Sequence, residues 1–251
     1  MDLPRAGTVK LYKNLYTEMR ELNVGRDMLN TILKANGLLV PPLKQYKVTT
    51  NSRHRFKKHK DLVTGLKITR PEQVWVSDIT YLYCSGRHYY LSLITDAYSK
   101  VIVGYNIDVH MGVELVIDAL KMAFKNRHYR GRIIHHSDRG SQYCCNEYQE
   151  LLRHMGILTS MTQDSDPYSN AIAERVNGIL KQEFSLEERS NSFEELKFIV
   201  KQSIEAYNFK RPHFSCNLLT PYKMHMQRKL PRREYKKVFI RKKNKMQKEL
   251  I

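Results

Sequence analysis

The chain has 251 residues, of which 43 are lysine or arginine and 25 are acidic, and it carries a net charge of +18. Its length allows one core domain and one smaller unit, and 41% hydrophobic residues exclude a wholly disordered chain. No apolar run approaches the roughly 18 residues of a membrane span, and residues 1–10 lack an apolar signal-peptide stretch, so no membrane partner is expected.

The positive charge lies at the two ends of the chain. Residues 1–60 and residues 228–251 each carry a net charge of +9, whereas residues 61–227 are neutral. Basic ends that flank a neutral domain indicate a polyanionic partner, most often nucleic acid. Charge alone also fits a basic ribosomal or chromatin-type protein without enzymatic chemistry. The four cysteines form no CxxC pair, which favours a reduced, cytoplasmic protein.

Two short amphipathic helices are predicted near the start of the chain. Residues 9–21 and 26–37 each place apolar side chains at helical spacing, and Gly25 separates them. This pattern is typical of a helix-turn-helix whose second helix presents Arg26 and Lys34 to a DNA groove. An ordinary helical hairpin has the same spacing, so both interpretations stay open.

Composition divides the chain into four segments. Residues 1–42 form the helix-turn-helix-like segment. Residues 43–70 are predicted to be a basic linker, whose first part lies along a phosphate backbone. Residues 71–225 form the core, and residues 226–251 form a basic C-terminal tail.

The core is predicted to be an α/β domain. Three strands come first, and strands then alternate with helices, which indicates a mixed five-stranded sheet flanked by helices. Short connections make the first three strands an antiparallel meander. The predicted strands are 74–86, 87–100, 101–109, 132–138 and 157–162, and the predicted helices are 113–125, 146–156, 170–184 and 192–209.

Three acids in the neutral middle are candidates for metal binding. Asp78 interrupts a hydrophobic strand, where a carboxylate is unfavourable unless it is paired or metal-bound. Asp138 lies at the end of the fourth strand, which neighbours the first in such a sheet, and Glu174 lies in the first turns of the predicted helix 170–184. Carboxylates without nearby histidine or cysteine suit Mg²⁺ or Mn²⁺, and two such ions promote phosphodiester chemistry. Taken singly, each acid is also explained as a cap, a salt-bridge partner or a surface acid.

Basic and polar side chains near these acids are candidate DNA contacts. Lys181 lies two turns after Glu174 on the same helix face, with Asn177 between them, and this stripe is expected to reach DNA phosphate. Arg139 and Arg175, which directly follow Asp138 and Glu174 in the chain, belong to the same predicted set.

Several other side chains compete for these roles. Asp96 follows the second strand, and we expect it to have a structural role at the turn. Asp164 and Asp166 lie in a loop and are weaker candidates for transient metal contact. Tyr81 and Tyr143 are expected to pack or to contact DNA.

Three sequence blocks carry a resemblance to a known family. They are WVSDITY (75–81), HSDRGSQY (136–143) and NAIAERVNGILK (170–181), and they resemble the signatures of DDE transposases. Together with YNFKRPH (207–213) and LTPY (219–222), they are most similar to the second open reading frame product, OrfB, of the IS3 family of bacterial insertion sequences. That family lies in the retroviral integrase superfamily.

The resemblance implies a ribonuclease-H-like core and a defined chemistry. Asp78, Asp138 and Glu174 would be the metal-binding catalytic triad, and Lys181 the basic residue that commonly follows it. The implied reaction is metal-dependent hydrolysis at the ends of the element. The exposed 3′-hydroxyls would then attack target DNA by direct transesterification. The implied cofactor is a pair of Mg²⁺ or Mn²⁺ ions.

The resemblance also implies partners. The first is double-stranded DNA, which includes the terminal inverted repeats of the element and the target. The second is an OrfA-type upstream product, either separate or fused to this chain. Further copies of the chain would assemble on DNA, in the cytoplasm at the bacterial nucleoid. Two other hypotheses stay open. One is a ribonuclease-H-like nuclease that hydrolyses DNA without joining strands. The other is a catalytically incomplete or domesticated DNA-binding protein that acts as a regulator.

Overall fold

A computed structural model of the chain describes residues 5–40, 55–163, 171–187 and 190–227. None of the helices within these ranges is long and apolar enough to cross a bilayer. Several predictions lie outside the described residues: the first part of the linker, the loop acids Asp164 and Asp166, and nearly all of the basic tail.

The described residues form helices and strands in the predicted order, with three short additions. The additions are two short helices, Ser141–Cys144 and Pro221–His225, and a 3-10 turn at Phe214–Cys216. The strands are β1 (Val74–Cys84), β2 (Arg87–Asp96), β3 (Ile102–Asp108), β4 (Ile134–Ser137) and β5 (Leu158–Met161). The helices are α1 (Thr8–Asn14), α2 (Tyr16–Glu21), α3 (Arg26–Ala35), α4 (Val113–Lys125), α5 (Ser141–Cys144), α6 (Asn146–His154), α7 (Ala171–Glu183), α8 (Phe193–Phe209) and α9 (Pro221–His225).

The strands form one mixed sheet in the order β3-β2-β1-β4-β5. β1 is antiparallel to β2 and parallel to β4, so the predicted mixed five-stranded sheet is confirmed. β1 pairs with β4 only from Val74 to Val76, whereas it pairs with β2 as far as Cys84. The far part of the β1–β2 hairpin therefore extends beyond the end of β4.

Helices cover both faces of the sheet. α7 and α8 pack on one face, where Val176 and Leu180 join a buried cluster with Leu82 and Leu93. α4, α5 and α6 pack on the other face around Trp75, which is fully buried. Because successive strand residues point to opposite faces, the side chain of Asp78 shares its face with Leu82 and lies on the α7 side.

The approach of α4 to β3 is very close at Gly104. A Cβ atom at this position would lie 2.8 Å from both the backbone nitrogen and the Cβ of Ala123. Helix backbone lines this contact, so the neighbours cannot move aside as a flexible side chain would.

Gly104→Ala is therefore expected to lower the free energy of unfolding by about 3 kcal/mol through overpacking. The matched control is Gly178→Ala in α7, where the nearest atom to an added Cβ is Gln182 Oε1 at 3.8 Å. Since alanine favours helix, that control should raise stability by up to about 1 kcal/mol. Urea unfolding measures the free energy of unfolding of both variants. Equal changes in this free energy for Gly104→Ala and Gly178→Ala would contradict the close packing at Gly104.

A buried charged network ties α9 to the sheet. Asp96 is fully buried and accepts hydrogen bonds from the Glu72 nitrogen at 2.7 Å and from the Ser99 nitrogen at 2.7 Å. This confirms its structural role at the turn. His225 hydrogen-bonds the Ser99 hydroxyl at 2.8 Å, and its ring nitrogens lie 3.7 Å from Asp96 Oδ1 and 3.5 Å from Glu72 Oε1.

This network predicts a pH-dependent stability. Burial alone would lower the pKa of His225, but the nearby carboxylates of Asp96 and Glu72 stabilise the protonated ring, outweigh the burial and raise that pKa to about 9. A raised histidine pKa stabilises the folded state fully below the ordinary value of 6.5 and less as pH rises towards 9. We expect wild-type stability to fall by about 2 kcal/mol across this window.

His225→Gln should remove that pH dependence, since glutamine does not titrate. Urea unfolding at pH 6 and pH 9 compares the two proteins, and His154→Gln on the exposed end of α6 serves as the control. An identical pH profile for wild type and His225→Gln would rule out this histidine as the source.

The N-terminal helices contact the core through Glu183 at the end of α7. Lys10 in α1 lies 2.5 Å from Glu183 Oε1, and the Arg5 nitrogen donates to the Glu183 carbonyl at 3.1 Å. Arg211 donates to both carboxylate oxygens of Glu183, at 2.7 and 2.8 Å. The first predicted helix is interrupted at Leu15, whose ψ of 26° separates α1 from α2.

Part of the predicted linker packs against the core. The Leu62 nitrogen donates to Ser160 Oγ at 2.8 Å, and the Met161 nitrogen donates to the Lys60 carbonyl at 3.3 Å. Val63 and Ile68 pack on a small buried cluster with Val74. Residues 60–68 therefore differ from a free linker because their apolar side chains have a core surface to cover.

Candidate active site

The sheet places Asp78 and Asp138 side by side at one edge. β1 and β4 are parallel, and Val76 pairs with His136 at the end of their shared register. Both acids lie two residues beyond that pair, so the strands deliver the two carboxylates to the same place. They line a common cleft of about 460 Å³ with Gly140 and Gln142 among its walls.

The Asp78 carboxyl group is in an unfavourable environment for a bare negative charge. It is half-buried, and burial raises its pKa to about 7, with a further contribution from the charge of Asp138. Glu174 adds a smaller effect in the same direction. Asn177 opposes these effects, because its Nδ2 donates a 2.7 Å hydrogen bond to Asp78 Oδ2.

Asp138 is held by the loop that follows β4. Its Oδ1 accepts a 3.0 Å hydrogen bond from the nitrogen of Gly140. A Cβ atom at Gly140 would lie 3.0 Å from that same oxygen, tighter than ordinary contact. Glycine at this position therefore lets the backbone approach and orient the carboxylate.

Glu174 lies in the first turn of α7, as predicted, and its side chain is exposed. Within the described ranges, no group of three or more histidine, cysteine, aspartate or glutamate side chains is close enough to hold a metal ion. The residues that lead directly into α7 are outside those ranges. The structure thus brings Asp78 and Asp138 together, and the participation of Glu174 stays a prediction.

The two paired acids suit a hard divalent cation. They offer carboxylate oxygens from adjacent strands, and oxygen ligands of this type are the ones that Mg²⁺ and Mn²⁺ prefer. A carboxyl group whose pKa is raised by burial and by a like charge is stabilised in its ionised form by a nearby cation. The chemistry of the donor set therefore fits a divalent metal between Asp78 and Asp138.

Asn177 and Lys181 extend from α7 towards the acids. Asn177 is only 6% exposed, and its amide nitrogen is directed to Asp78. Its Oδ1 is buried and has no hydrogen-bond partner among the described residues. The Lys181 ammonium lies 4.4 Å from the ring centroid of Tyr81, and burial lowers its pKa.

The other predicted DNA contacts are spread over the molecule. Arg139 is half-buried next to Asp138, whereas Arg175 is exposed and lines a separate groove with Lys10. Arg26 and Lys34 are exposed on α3, where Arg26 pairs with Asp27 at 2.7 Å. Their DNA contacts stay predictions.

Sequence reasoning missed part of the cleft wall. His88, Tyr90 and Met111 line the cleft beside the two acids, together with Tyr81. The alternation of aromatic and apolar residues along the first two predicted strands was the available signal. Tyr143 also lines the cleft, but it is only 2% exposed and packs against Tyr148, as expected for a packing role.

Asn177→Ala is expected to weaken metal binding by about 10- to 100-fold, because Asp78 loses the donor that orients and stabilises its ionised form. The measurement is the Mg²⁺ concentration that half-activates the enzyme. Gln182→Ala, another amide on α7, is the control and should leave that concentration unchanged. Equal Mg²⁺ requirements for wild type and Asn177→Ala would contradict this role.

Comparison with known proteins shows which family the chain belongs to. Residues 68–167 match a family described as "Integrase core domain", and residues 155–221 match a second family of the same description. The chain is 35% identical to the "Insertion element IS600 uncharacterized 31 kDa protein" of Shigella sonnei, covering 83% of this chain and 78% of that protein.

Two further similarities extend the comparison. The chain is 36% identical to the "Putative transposase InsK for insertion sequence element IS150" of Escherichia coli, over 68% of this chain and 60% of that protein. The catalytic core domain of HTLV-2 integrase, solved in complex with magnesium in a trimeric form, superposes with a TM-score of 0.51 at 19% identity. That match covers 62% of this chain and 97% of the integrase domain, and it shows that the two share the ribonuclease-H-like fold. The chain belongs to the IS3-type family of DDE insertion-sequence transposases, which are polynucleotidyl transferases.

Proposed function

We propose that this transposase cleaves the ends of an insertion sequence and joins the resulting 3′-hydroxyls to target DNA by direct transesterification. The observation that carries the proposal is the pair formed by Asp78 and Asp138 at one edge of the sheet, inside an open cleft. The relatives that match the chain are insertion-sequence proteins, which supports the same chemistry.

Asp78, Asp138 and Glu174 would hold two Mg²⁺ or Mn²⁺ ions. When bound, such ions promote ionisation of the attacking hydroxyl and stabilise charge on the leaving oxygen of a phosphodiester. Asn177 orients the Asp78 carboxylate through its 2.7 Å hydrogen bond, and Gly140 orients Asp138. Lys181 supplies positive charge beside the cleft for a DNA phosphate.

The basic ends of the chain are proposed to hold double-stranded DNA. Each end carries a net charge of +9, so binding should be strongly salt-dependent and largely independent of sequence. On α3, Arg26 and Lys34 would contact the terminal inverted repeats, and Arg139 and Arg175 would contact phosphate nearer the catalytic cleft.

The proposal includes partners and a location. Two DNA ends must be processed together, so we propose that copies of the chain assemble on DNA, in the bacterial cytoplasm at the nucleoid. The related integrase core was solved in a trimeric form, which supports self-association in this fold. An OrfA-type upstream product or fusion would supply further recognition of the repeats.

A strand-joining assay tests the proposal. The substrate is duplex DNA that ends in the inverted repeats flanking the gene, with supercoiled plasmid as target and Mg²⁺ in the buffer. We expect joined products from this chain alone or from its fusion to the upstream reading frame. Cleavage without joining would indicate a nuclease, and DNA binding without either would indicate a regulator.

A further inference from the structure

Four ring-bearing side chains lie on one face of the β1–β2 hairpin. In the strand register, Tyr81 pairs with Tyr90 and Tyr83 pairs with His88. Directly paired residues of antiparallel strands share a face, so these four rings form one continuous surface, called here the hairpin strip.

The hairpin strip is not part of the core. Tyr83 is 49% exposed, His88 is exposed, and Tyr81 and Tyr90 are half-buried. The residue between the first two tyrosines, Leu82, points to the opposite face and is fully buried. Each strand therefore buries one face under α7 and α8, with Leu82 from β1 and Tyr89 from β2, and leaves the rings of the strip on the more exposed face.

The rings of the strip contact one another and carry a cation at one end. The His88 ring lies 5.5 Å from the Tyr81 ring and 5.1 Å from the Tyr83 ring. Lys181 lies 4.4 Å over Tyr81. Two acids lie near the strip: Asp108 is opposite Tyr90 in register and accepts a 3.0 Å hydrogen bond from the His110 nitrogen, and Glu187 accepts a 3.1 Å hydrogen bond from the Tyr83 nitrogen.

The strip is continuous with the catalytic cleft. Tyr81, His88 and Tyr90 line the same cleft as Asp78 and Asp138. A DNA strand whose phosphodiester lies at the two acids therefore has its neighbouring nucleotides beside the strip. Because the strip combines partly exposed aromatic rings with one cation, it offers stacking and phosphate contact together.

Resting on the proposed function, we propose that the hairpin strip binds unpaired nucleobases of the DNA strand adjoining the phosphodiester at Asp78 and Asp138. Stacking requires an accessible base face, and bases inside a duplex already stack on their neighbours. The strip therefore favours DNA that is single-stranded or locally melted at the catalytic site. The proposal specifies the form of DNA that the transposase binds at its catalytic site and leaves the proposed reaction unchanged.

A binding experiment without divalent metal tests the strip independently of catalysis. The probe is a fluorescent oligothymidylate of about 20 nucleotides, with a duplex of the same length for comparison. In an Asp138→Asn background, Tyr83→Ala with His88→Ala should weaken single-strand binding by about tenfold and duplex binding by less than about twofold. Phe198→Ala, which removes a 59% exposed ring from α8, is the matched control and should change neither.

A crosslinking experiment locates the contact. An oligonucleotide containing 5-iodouracil, irradiated on the Asp138→Asn protein, should crosslink to the peptide that contains Tyr83 or His88. Tyr83→Phe should retain single-strand affinity because the ring face is preserved. Loss of affinity in Tyr83→Phe would show a hydroxyl contact instead of stacking and would overturn the proposal.

Other outcomes also overturn the proposal. Unchanged single-strand affinity in the double variant would do so, and so would an equal loss on single strand and duplex. If the double variant changes only the oligomeric state in size-exclusion chromatography, the strip is a contact between copies of the chain. If neither the wild-type chain nor its fusion to the upstream reading frame joins strands, while the binding difference is intact, the proposed function is refuted and base stacking on the strip is retained.

Discussion

Asp138→Asn is expected to lower strand joining by more than about 100-fold. Removing a carboxylate proposed to bind the metal directly should reduce activity more than removing a side chain, such as Asn177, that only orients such a carboxylate. DNA affinity should stay within about threefold of wild type, because the two basic ends dominate binding. The asparagine retains the shape of the side chain and its bond to Gly140, so the protein should fold normally. Joining is measured with repeat-ended DNA, and affinity by fluorescence anisotropy.

The matched control for this prediction is Asp118→Asn. Asp118 is an exposed carboxylate on α4 that lies 3.8 Å from Lys121, away from the cleft. Its loss changes the net charge by the same amount and should leave joining unchanged. If Asp138→Asn retained wild-type joining, the assignment of the acid pair as the catalytic centre would fail.

Asp78→Asn is expected to abolish joining and yet to stabilise the metal-free protein by about 1–3 kcal/mol at pH 8. The pKa of Asp78 rises from an ordinary value of 3.8 to about 7, so the folded protein holds this proton more tightly than the unfolded chain does. Ionisation therefore disfavours folding. The penalty is absent below about pH 3.8 and fully present above about pH 7. Asparagine removes it.

Mg²⁺ should reverse the order of stability at pH 8. A cation between Asp78 and Asp138 compensates the buried charge in wild type, so saturating Mg²⁺ is expected to raise the melting temperature of wild type by several degrees. The Asp78→Asn protein should gain much less. Thermal unfolding of both proteins, with EDTA and with Mg²⁺ at pH 4 and pH 8, measures the melting temperatures that these predictions compare. A metal-free Asp78→Asn protein that is less stable than wild type at pH 8 would show that the carboxylate is already compensated by the protein.

The strand pattern allowed the position of the acid pair to be predicted. Three strands followed by alternating helices specify a sheet in which the first and fourth strands are neighbours, and the structure confirms this order. Asp78 and Asp138 then meet because their strands run parallel. The short elements α5 and α9 were missed, since four or five residues span little more than one helical turn and show no periodicity.

The linker shows why composition misleads about contacts. Residues 43–70 are predicted to be a basic linker, and the composition of its first part indicates contact with phosphate and not with the core. Val63 and Ile68 nevertheless cover an apolar edge near Val74 that only the folded sheet creates. Likewise, Asn177 was predicted to face DNA from its helical spacing, while the folded helix turns its amide to Asp78. Spacing defines a helix face, but the position of the helix on the sheet decides what that face meets.

The sequence by itself determined the mixed five-stranded sheet, because this depends on periodicity along the chain, and its resemblance to DDE transposases implied the class of chemistry and the acids that carry it. Only the tertiary structure decided the raised pKa of Asp78, the link from Lys10 through Glu183 to Arg211, and the open aromatic face of the β1–β2 hairpin. Burial, ion pairing and exposure depend on which distant segments pack together. A net charge of +18 therefore indicated a polyanionic partner, whereas Asp78 and Asp138 lie side by side where the pairing of β1 with β4 ends.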